Sequence, residues 1–281
     1  MEIINRIPRM ISIGRDLRSH GKRIALIPTG GLLHEGHLSL ASRARELSDC
    51  AIISIVPNVS QDTSSEDEYR SLARDAELAF TRGVDFIFAP STSDMFPIGF
   101  STSVSVNGVS DRLEGESRPG HLRKTTTALN KLINIVHPHF VILGRKNAQQ
   151  VVLARRMVRE LAIDVEIVVC PTMREEDGLA VASSNSRLST EERKAAIVLR
   201  RALERCRSLA NSGERDAARL IGSMRTALSA EPLARIDYIA VTDSQLDVLD
   251  VVPSDRPALV LIAAYIGDTR LTDNIVLNGE L

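Results

Sequence analysis

The sequence predicts an α/β protein with a parallel sheet in its first part and a small α+β domain in its last part. Short apolar runs rich in β-branched residues alternate with helical patterns over residues 24–170. A repeated β-α-β order requires parallel strands with helices on both faces of the sheet. Beyond residue 170 the alternation stops, and turn residues separate the later apolar runs, which is typical of a small antiparallel sheet.

Five runs of the first part predict strands, because each is short, apolar and bounded by turn residues. They cover residues 24–27, 51–56, 85–89, 140–143 and 165–170. Four segments between them have apolar residues three and four apart, which predicts helices. They cover residues 38–47, 68–82, 125–136 and 148–161. Ligands of such sheets bind at the carboxyl ends of strands, where residues 28–37 and 144–150 are expected to lie.

The second part begins with a helix signal. Residues 189–192 read Ser-Thr-Glu-Glu, the pattern of a capping box, because Ser189 can accept a hydrogen bond from an early helix amide while Glu192 reaches back. This helix is predicted to run to about residue 210. Two later apolar runs predict strands, over residues 236–241 and 258–264.

The strongest motif directly follows the first predicted strand. Residues 28–37 read Pro-Thr-Gly-Gly-Leu-Leu-His-Glu-Gly-His, a strand-turn-helix unit that presents helix amides to a phosphate. His34 and His37 can lie on one side of the first helical turn and donate to phosphate oxygens, while Gly36 leaves room for a nucleotide. We therefore predict a nucleotide site; the alternative is a pair of capping or surface histidines. The loop residues assigned to the nucleotide are Pro28, Thr29, Gly30 and Gly36.

Composition excludes several classes of function. The 281 residues are 43% hydrophobic and 25% charged, and they suit one large and one small domain, predicted over residues 1–183 and 184–281. A net charge of -1 does not draw the chain to nucleic acid or a membrane surface. No stretch approaches the roughly 20 apolar residues of a membrane helix, and the three cysteines lack metal-ligand or disulfide spacing. We expect a cytoplasmic protein with no nucleic-acid or membrane partner and no protein-bound metal.

Motifs along nearly the whole chain resemble those of one family. They are residues 28–37, Asn58, Gln61, 83–85, 88–91, 118–121, Arg123, Gly144, Lys146, 149–150, 174–175, 177–180, Asn185, 188–189, 269–271 and 273–274. In these motifs the chain is similar to the pantoate-beta-alanine ligases, a family of the nucleotidyltransferase superfamily. The resemblance implies a Rossmann-like first domain that binds nucleotide and acid, a C-terminal lid domain, and a homodimer.

The resemblance implies an ATP-dependent carboxylate-amine ligase. The carboxylate of pantoate would attack the α-phosphate of ATP, which Mg²⁺ accompanies, and the amine of beta-alanine would then displace AMP. A displacement at phosphorus depends on positioning and cationic stabilisation more than on a covalent nucleophile, which agrees with the residue types present. The expected partners are therefore a small-molecule acid and a small-molecule amine.

Residue roles follow from the resemblance, position by position. His34 and His37 would contact the phosphates and Lys146 would stabilise charge on the nucleotide, so these three are the expected catalytic residues. Lys146 is alternatively a solvated surface lysine. The acid would be held by Asn58, Gln61 and Gln150, for which surface or capping roles are the alternative. Further nucleotide contacts would come from Gly144, Asn147, Ser183, Ser184 and Arg187.

Several family positions hold a different residue in this chain. Gly30 replaces a methionine, and Val56 replaces a phenylalanine, which removes an aromatic wall from the acid pocket. A glutamate and an aspartate flank the lysine in the family, where this chain has Arg145 and Asn147. Asn147 can still hydrogen-bond a ribose hydroxyl, but it does not accept as a carboxylate does.

The phosphate loop differs most from the family pattern. Where the family has Ser-Ser-Arg-Asn-Arg, residues 182–186 read Ala-Ser-Ser-Asn-Ser in an ungapped match. The arginine that would neutralise departing pyrophosphate is then missing, unless the loop shifts register and Arg187 replaces it. These departures leave two alternative functions: a paralogue that adenylates another acid or uses another amine, and a catalytically impaired homologue retained for binding or regulation.

Overall fold

The computed structural model of the chain describes residues 1–56 and 65–279, with the backbone alone for residues 65–70. Internal contacts divide the chain into two compact units. Unit 1 comprises Met1–Gly144 and Leu153–Cys170, and unit 2 comprises Arg145–Val152 and Pro171–Leu281. The functional division into domains 1–183 and 184–281 stays a prediction, because these units are defined by compactness alone.

Unit 1 contains the predicted parallel sheet. Its strands are β1 (Glu2–Ile4), β2 (Ile24–Thr29), β3 (Cys50–Ile55), β4 (Phe86–Phe88), β5 (Phe140–Gly144) and β6 (Glu166–Cys170). They lie in the order β1-β4-β3-β2-β5-β6, and the described pairs are parallel. The α/β prediction is confirmed. The additional edge strand β1 escapes sequence analysis because only one of its three residues is buried.

Helices cover this sheet. They are α1 (Ile7–Ser19), α2 (Glu35–Leu47), α3 (Ser65–Phe80), α4 (Thr92–Met95), α5 (Glu114–Ser117), α6 (His121–Val136) and α7 (Ala148–Glu160). The predicted helices correspond to α2, α3, α6 and α7, and the first three begin a few residues early. Their opening turns are largely polar, with Leu122 of α6 as the exception, so the regular apolar periodicity that predicts a helix starts only after them.

The strand β2 is longer than predicted. The prediction ended it at residue 27 and placed Pro28 in a turn, which is wrong, because Pro28 and Thr29 pair in register with Ser54 and Ile55 of β3. Proline lacks the amide donor of a strand residue. It is tolerated here because β5 pairs with β2 only at two earlier residues, so Pro28 has one paired neighbour strand rather than two.

Unit 2 is the predicted α+β part. Its elements are α8 (Thr190–Ala195), α9 (Ile197–Asn211), α10 (Ala217–Ser229), β7 (Ala234–Thr242), β8 (Ala258–Ile266) and β9 (Thr269–Leu277). The strands form an antiparallel sheet in the order β7-β8-β9. The capping box of Ser189 and Glu192 is confirmed. The single helix predicted to follow it is wrong: it is interrupted at Ala196, whose carbonyl oxygen accepts from the amide of Leu199.

Each unit has its own apolar core. In unit 1, buried residues of β2, β3 and β5 pack with those of α2. In unit 2, buried residues of α9 and α10 pack against β8 and β9. Within the described residues, no helix combines the length and the apolar character that crossing a membrane requires.

Candidate active site

The turn after β2 is held by Thr29 and requires a glycine at residue 31. The Thr29 hydroxyl donates to the carbonyl oxygen of Ser54 at 2.8 Å and accepts from the Gly31 amide at 3.3 Å. Gly31 has a φ of +86°, in the left-handed region that favours glycine, and a Cβ atom there would lie 3.2 Å from Cγ2 of Ile55. The sequence prediction singled out the exposed Gly30 and missed Gly31.

Asp75 of α3 supports the same turn. Its side chain is fully buried, and Oδ1 accepts from the Leu33 amide at 2.7 Å. Burial raises the pKa of Asp75, while hydrogen bonds from the amides of Leu33 and Leu32 act in the opposite direction. Sequence reasoning missed Asp75 because a single acid on an amphipathic helix resembles a surface residue. Only its distance to the turn, a tertiary property, reveals the role.

The two histidines lie at the start of α2. His34 is the N-cap residue, and its Nδ1 atom accepts from the Gly36 amide at 3.2 Å. The rings of His34 and His37 stack, with centroids 4.0 Å apart and planes 29° from parallel. The two histidines therefore form the pair that their spacing predicted. His34 is also a capping residue, as the alternative interpretation had it. Because Nδ1 accepts, a neutral His34 ring carries its proton on Nε2, which can donate to a phosphate oxygen.

Backbone amides of this turn are already engaged. The Gly36 amide donates to the His34 ring, and the amides of His37 and Leu38 donate to the His34 carbonyl oxygen at 2.8 and 3.1 Å. The expectation that the first helix amides face a phosphate is therefore wrong for these three amides. Among the groups of this turn, the histidine rings are the better candidates for phosphate contact.

The end of β5 lies beside the end of β2. These parallel strands are neighbours, so Gly144 at the end of β5 and the turn that follows Thr29 at the end of β2 occupy the same edge of the sheet. Val56, the altered position of the acid pocket, is half-buried directly after β3. Asn58 and Gln61, the other predicted acid ligands near this strand, lie outside the described residues.

In unit 2, Lys146 lies in a short 3-10 helix, Arg145–Asn147. The Nδ2 group of Asn274 in β9 donates to the carbonyl oxygens of Arg145 at 2.9 Å and Lys146 at 2.8 Å. Lys146 is half-buried and Asn147 is exposed, while Gln150 is half-buried in the first turn of α7. The backbone of Lys146 is therefore fixed by β9, and its catalytic role stays a prediction.

The predicted phosphate loop forms a second short 3-10 helix, Ser183–Arg187. Asn185 anchors this helix, since its Nδ2 group donates to the Ala180 carbonyl oxygen and to Oε1 of Glu175, both at 3.0 Å. Ser184 is half-buried, whereas Ser183 and Arg187 are exposed. The hydrogen bonds of Asn185 therefore anchor the residue that directly follows Ser184.

A small cavity within unit 2 joins the lysine to this loop. Its lining includes Lys146, Ala182, Asn185, Thr272 and Asp273. Two segments that the sequence placed far apart therefore contribute to one concave surface. Sequence analysis assigned no role to the contribution of β9, although residues 269–271 and 273–274 belong to the family motifs.

The described residues contain no group of three or more histidine, cysteine, aspartate or glutamate side chains placed to hold a metal ion. A nucleotide-bound Mg²⁺ takes most of its ligands from phosphate oxygens and water, and it needs at most one or two carboxylates from the protein. The residues present are therefore compatible with a Mg²⁺ that arrives with ATP.

Comparison with known proteins gives consistent matches. The sequence matches the family Pantoate-beta-alanine ligase over residues 2–276. It is 44% identical over 284 residues to the pantothenate synthetase of Syntrophus aciditrophicus, covering 100% of this chain and 99% of that protein. It is 46% identical over 285 residues to the pantothenate synthetase of Syntrophotalea carbinolica, covering 100% of both.

Solved structures agree with the sequence matches. The crystal structure of pantothenate synthetase from Thermus thermophilus has a TM-score of 0.88 at 36% identity, over 98% of this chain and 99% of that one. The pantoate-beta-alanine ligase of Francisella tularensis, complexed with beta-gamma ATP and beta-alanine, has a TM-score of 0.77 at 29% identity, over 98% and 97% of the two chains. The resemblance and the Rossmann-like fold predicted on the motifs are confirmed, and the chain belongs to the pantoate-beta-alanine ligase family, whose members are ligases that form an amide bond.

Proposed function

We propose that this chain joins pantoate to beta-alanine in two steps, through an acyl-adenylate made from ATP. The observation that carries the proposal is the stacked pair of His34 and His37 at the start of α2, directly after a central strand, in a chain of this ligase family. Restrained ring donors at a helix start fit phosphate oxygens, and the family supplies the acid and the amine.

In the first step, a carboxylate oxygen of the acid attacks the α-phosphorus of ATP. The bond from that phosphorus to the β-phosphate oxygen breaks, and pyrophosphate leaves. The Nε2 donors of His34 and His37 hold phosphate oxygens, and Lys146 neutralises charge that develops on the nucleotide. Both effects come from preplaced groups, so no covalent enzyme intermediate is needed.

In the second step, the amine nitrogen attacks the carbonyl carbon of the acyl-adenylate. The bond from that carbon to the AMP oxygen breaks, and the amine loses a proton. Gln150 and the predicted ligands Asn58 and Gln61 would hold the acid through both steps. Their amide groups suit the hydroxyl and carboxylate groups of a small hydroxy acid.

A second candidate function is adenylation of a different small hydroxy acid. Val56 favours it, because this half-buried valine follows β3 where the family has a phenylalanine. A smaller side chain leaves room for a bulkier acid, and a change of one methylene group in an apolar pocket alters selectivity by roughly 10- to 200-fold.

We extend the proposal to a Mg²⁺ ion bound through the phosphates of ATP, to a homodimer and to a cytoplasmic location. The Mg²⁺ ion is supported by the chemistry of ATP, whose phosphates are normally paired with it. The dimer is what the resemblance to the family implies. The location is supported by composition and by the described helices, none of which is suited to cross a membrane.

ATP-pyrophosphate exchange with a panel of small hydroxy acids tests the proposal. Exchange with pantoate, and amide formation once beta-alanine is added, is the expected result. Exchange with another acid alone would favour the second candidate. No exchange with any acid would contradict both and favour a catalytically impaired homologue. Lys146→Ala should lower the exchange rate at least tenfold, since a formal charge near the phosphates is lost, while Lys194→Ala, at an exposed lysine, serves as the control.

A further inference from the structure

Two consecutive polar residues of β9 are buried. Asp273 is 4% exposed and Asn274 is 3% exposed, in a strand whose other inward residues are mostly apolar. Burying a polar side chain is costly unless it is hydrogen-bonded. The contacts of these two residues therefore require an explanation beyond packing.

Asn274 uses only one end of its side-chain amide. The Nδ2 group donates to the carbonyl oxygens of Arg145 and Lys146, at 2.9 and 2.8 Å. Its Oδ1 atom is buried and has no hydrogen-bond partner among the described residues. An orphaned acceptor opposes folding, so stability alone gives little reason for an asparagine here. The donor end supplies that reason, because it holds the backbone of the short 3-10 helix Arg145–Asn147, called the lysine turn below.

Asp273 extends the network to the phosphate loop. Its carboxylate accepts two hydrogen bonds from the Arg174 guanidinium, at 2.7 and 3.0 Å. It also accepts from the backbone amide of Asn274 at 2.7 Å. Arg174 also donates to the Gly178 carbonyl oxygen at 3.0 Å. It belongs to the hairpin of residues 174–180, whose Ala180 carbonyl accepts from the loop residue Asn185.

We infer that Asn274 is a positioning residue for adenylate formation, which fixes the backbone of Lys146 relative to the phosphate loop. The inference rests on the proposed function of Lys146. Lys146 and the loop line one cavity, and the network through Asn274, Asp273 and Arg174 joins them within unit 2. Transition-state stabilisation depends on placing a charge to within a fraction of an ångström, so a loosened turn lowers the rate more than it lowers ATP affinity.

Asn274→Asp tests this inference in the full-length protein. The substitution keeps the side-chain shape but points a carboxylate oxygen at two carbonyl oxygens. We expect the kcat of ATP-pyrophosphate exchange with pantoate to fall about tenfold, with the KM for ATP changed by less than about twofold. Hydrogen exchange measured by mass spectrometry should become faster in peptides that cover residues 145–152.

A pH profile separates positioning from a general structural defect. Below its own pKa, the new aspartic acid carries a hydroxyl that can donate to one of the two carbonyl oxygens. The kcat of Asn274→Asp relative to wild type should therefore rise as the pH is lowered from 8 to 6. Asn278→Asp is the matched control, since Asn278 is exposed beyond the end of the same strand and donates to the Pro253 carbonyl oxygen.

The possible outcomes are distinct. Unchanged kcat, or unchanged hydrogen exchange at residues 145–152, in a folded variant would overturn the inference, as would a loss confined to the KM for ATP. If Asn274→Asp does not fold, Asn274→Ala, which adds no charge, provides the same two measurements. If wild type shows no exchange with any acid, the proposed function fails, and the hydrogen exchange alone decides whether Asn274 positions the turn.

Discussion

His34 has two roles at the start of α2. Its Nδ1 atom caps the helix through the Gly36 amide, and its ring stacks on His37. Both contacts restrain the ring, so the Nε2 proton is held in place before a phosphate arrives. Donors that are fixed in advance stabilise developing charge better than mobile ones, because they need little reorganisation.

His34→Ala and His37→Ala should each lower the rate of adenylate formation about tenfold or more, because each removes a hydrogen bond that strengthens in the transition state. Single-turnover formation of the adenylate with saturating ATP provides the measurement. His20→Ala is a suitable control, since His20 is an exposed histidine at the end of α1. Wild-type rates in both variants would remove the histidines from the site.

Ser184→Arg should raise the adenylation rate roughly tenfold, equivalent to about 1.4 kcal/mol. In the ungapped match residue 184 is the position of the missing arginine, so an arginine there would restore that cation, and the hydrogen bonds of Asn185 anchor the next residue. Arg187→Ala should then be nearly silent, because Arg187 is exposed at the end of the short helix. Pyrophosphate exchange measures both effects.

Ser229→Arg is the control for this prediction, because it adds the same charge at an exposed serine at the end of α10, outside the predicted site. The opposite pattern, in which Arg187→Ala abolishes exchange and Ser184→Arg gives no gain, would show that the loop shifts register during the reaction. If both substitutions leave the exchange rate of an active enzyme unchanged, neither residue 184 nor residue 187 contacts pyrophosphate.

Asp75 should make the unfolding free energy depend on pH. Its pKa is raised above the ordinary 3.8, so the folded protein keeps this proton to higher pH than the unfolded chain. Its stabilising contribution is therefore complete below 3.8 and declines as the pH rises through the raised pKa. Asp75→Asn cannot titrate. The difference in unfolding free energy, wild type minus variant, should therefore fall as the pH rises from 3.8 through the raised pKa of Asp75.

Urea unfolding at a series of pH values from 3.5 upward measures this difference. Asp164→Asn, at an exposed aspartate, is the control. A difference that rises with pH, or that does not change, would contradict the burial effect at Asp75. Asp75→Asn retains a side-chain carbonyl oxygen that can accept from the Leu33 amide, so the turn after β2 should persist.

At the scale of elements, β9 links the hairpin of residues 174–180 to the lysine turn. The ion pair of Arg174 and Asp273 is asymmetric, since the side chains are 19% and 3% exposed. Loss of the arginine would leave a carboxylate buried without its counterion. Loss of the aspartate would leave an arginine that can still reach water.

Arg174→Ala should lower the free energy of unfolding by about 3 kcal/mol. This value is the lower end of the range of about 3–5 kcal/mol for removing one partner of a buried ion pair. Asp273→Ala should cost less, and the double variant should be more stable than Arg174→Ala alone. Urea denaturation of the four proteins measures these values. Arg219→Ala breaks an exposed pair with Glu214 and should cost less than about 1 kcal/mol. Equal costs for the two single variants would refute the asymmetry.

At the scale of the whole molecule, the chain consists of two compact units with separate apolar cores. Segments distant in sequence meet within each unit, since Arg145–Val152 is grouped with the C-terminal part. The functional division into residues 1–183 and 184–281 stays a prediction, because the units are defined by compactness alone. The lid function of residues 184–281 stays a prediction.

The proposed homodimer predicts a solution mass of about twice the 30.8 kDa of one chain. Size-exclusion chromatography with light scattering at several protein concentrations measures it. We expect the mass to stay constant on dilution to micromolar concentrations, as for a specific interface of on the order of 1,600 Å² rather than a weak encounter. A mass of one chain at all concentrations would contradict the proposal.

Local patterns in the sequence predicted most of the elements and the paired histidines of the candidate site. Apolar periodicity predicted the central strands and four helices, and the spacing of Ser189 and Glu192 predicted the capping box. The residues of the motif at 28–37 predicted the paired histidines. These features depend on neighbours within a few residues, so they can be recognised from the sequence alone.

Tertiary structure decided the features that depend on distant residues. Pro28 continues β2 because of where β5 stops pairing, which no local pattern encodes. Asp75 reaches the Leu33 amide over 42 positions, and Asn274 reaches the Lys146 carbonyl over 128. A lone polar residue in an amphipathic helix or strand looks exposed in the sequence, and only packing shows which backbone group it serves.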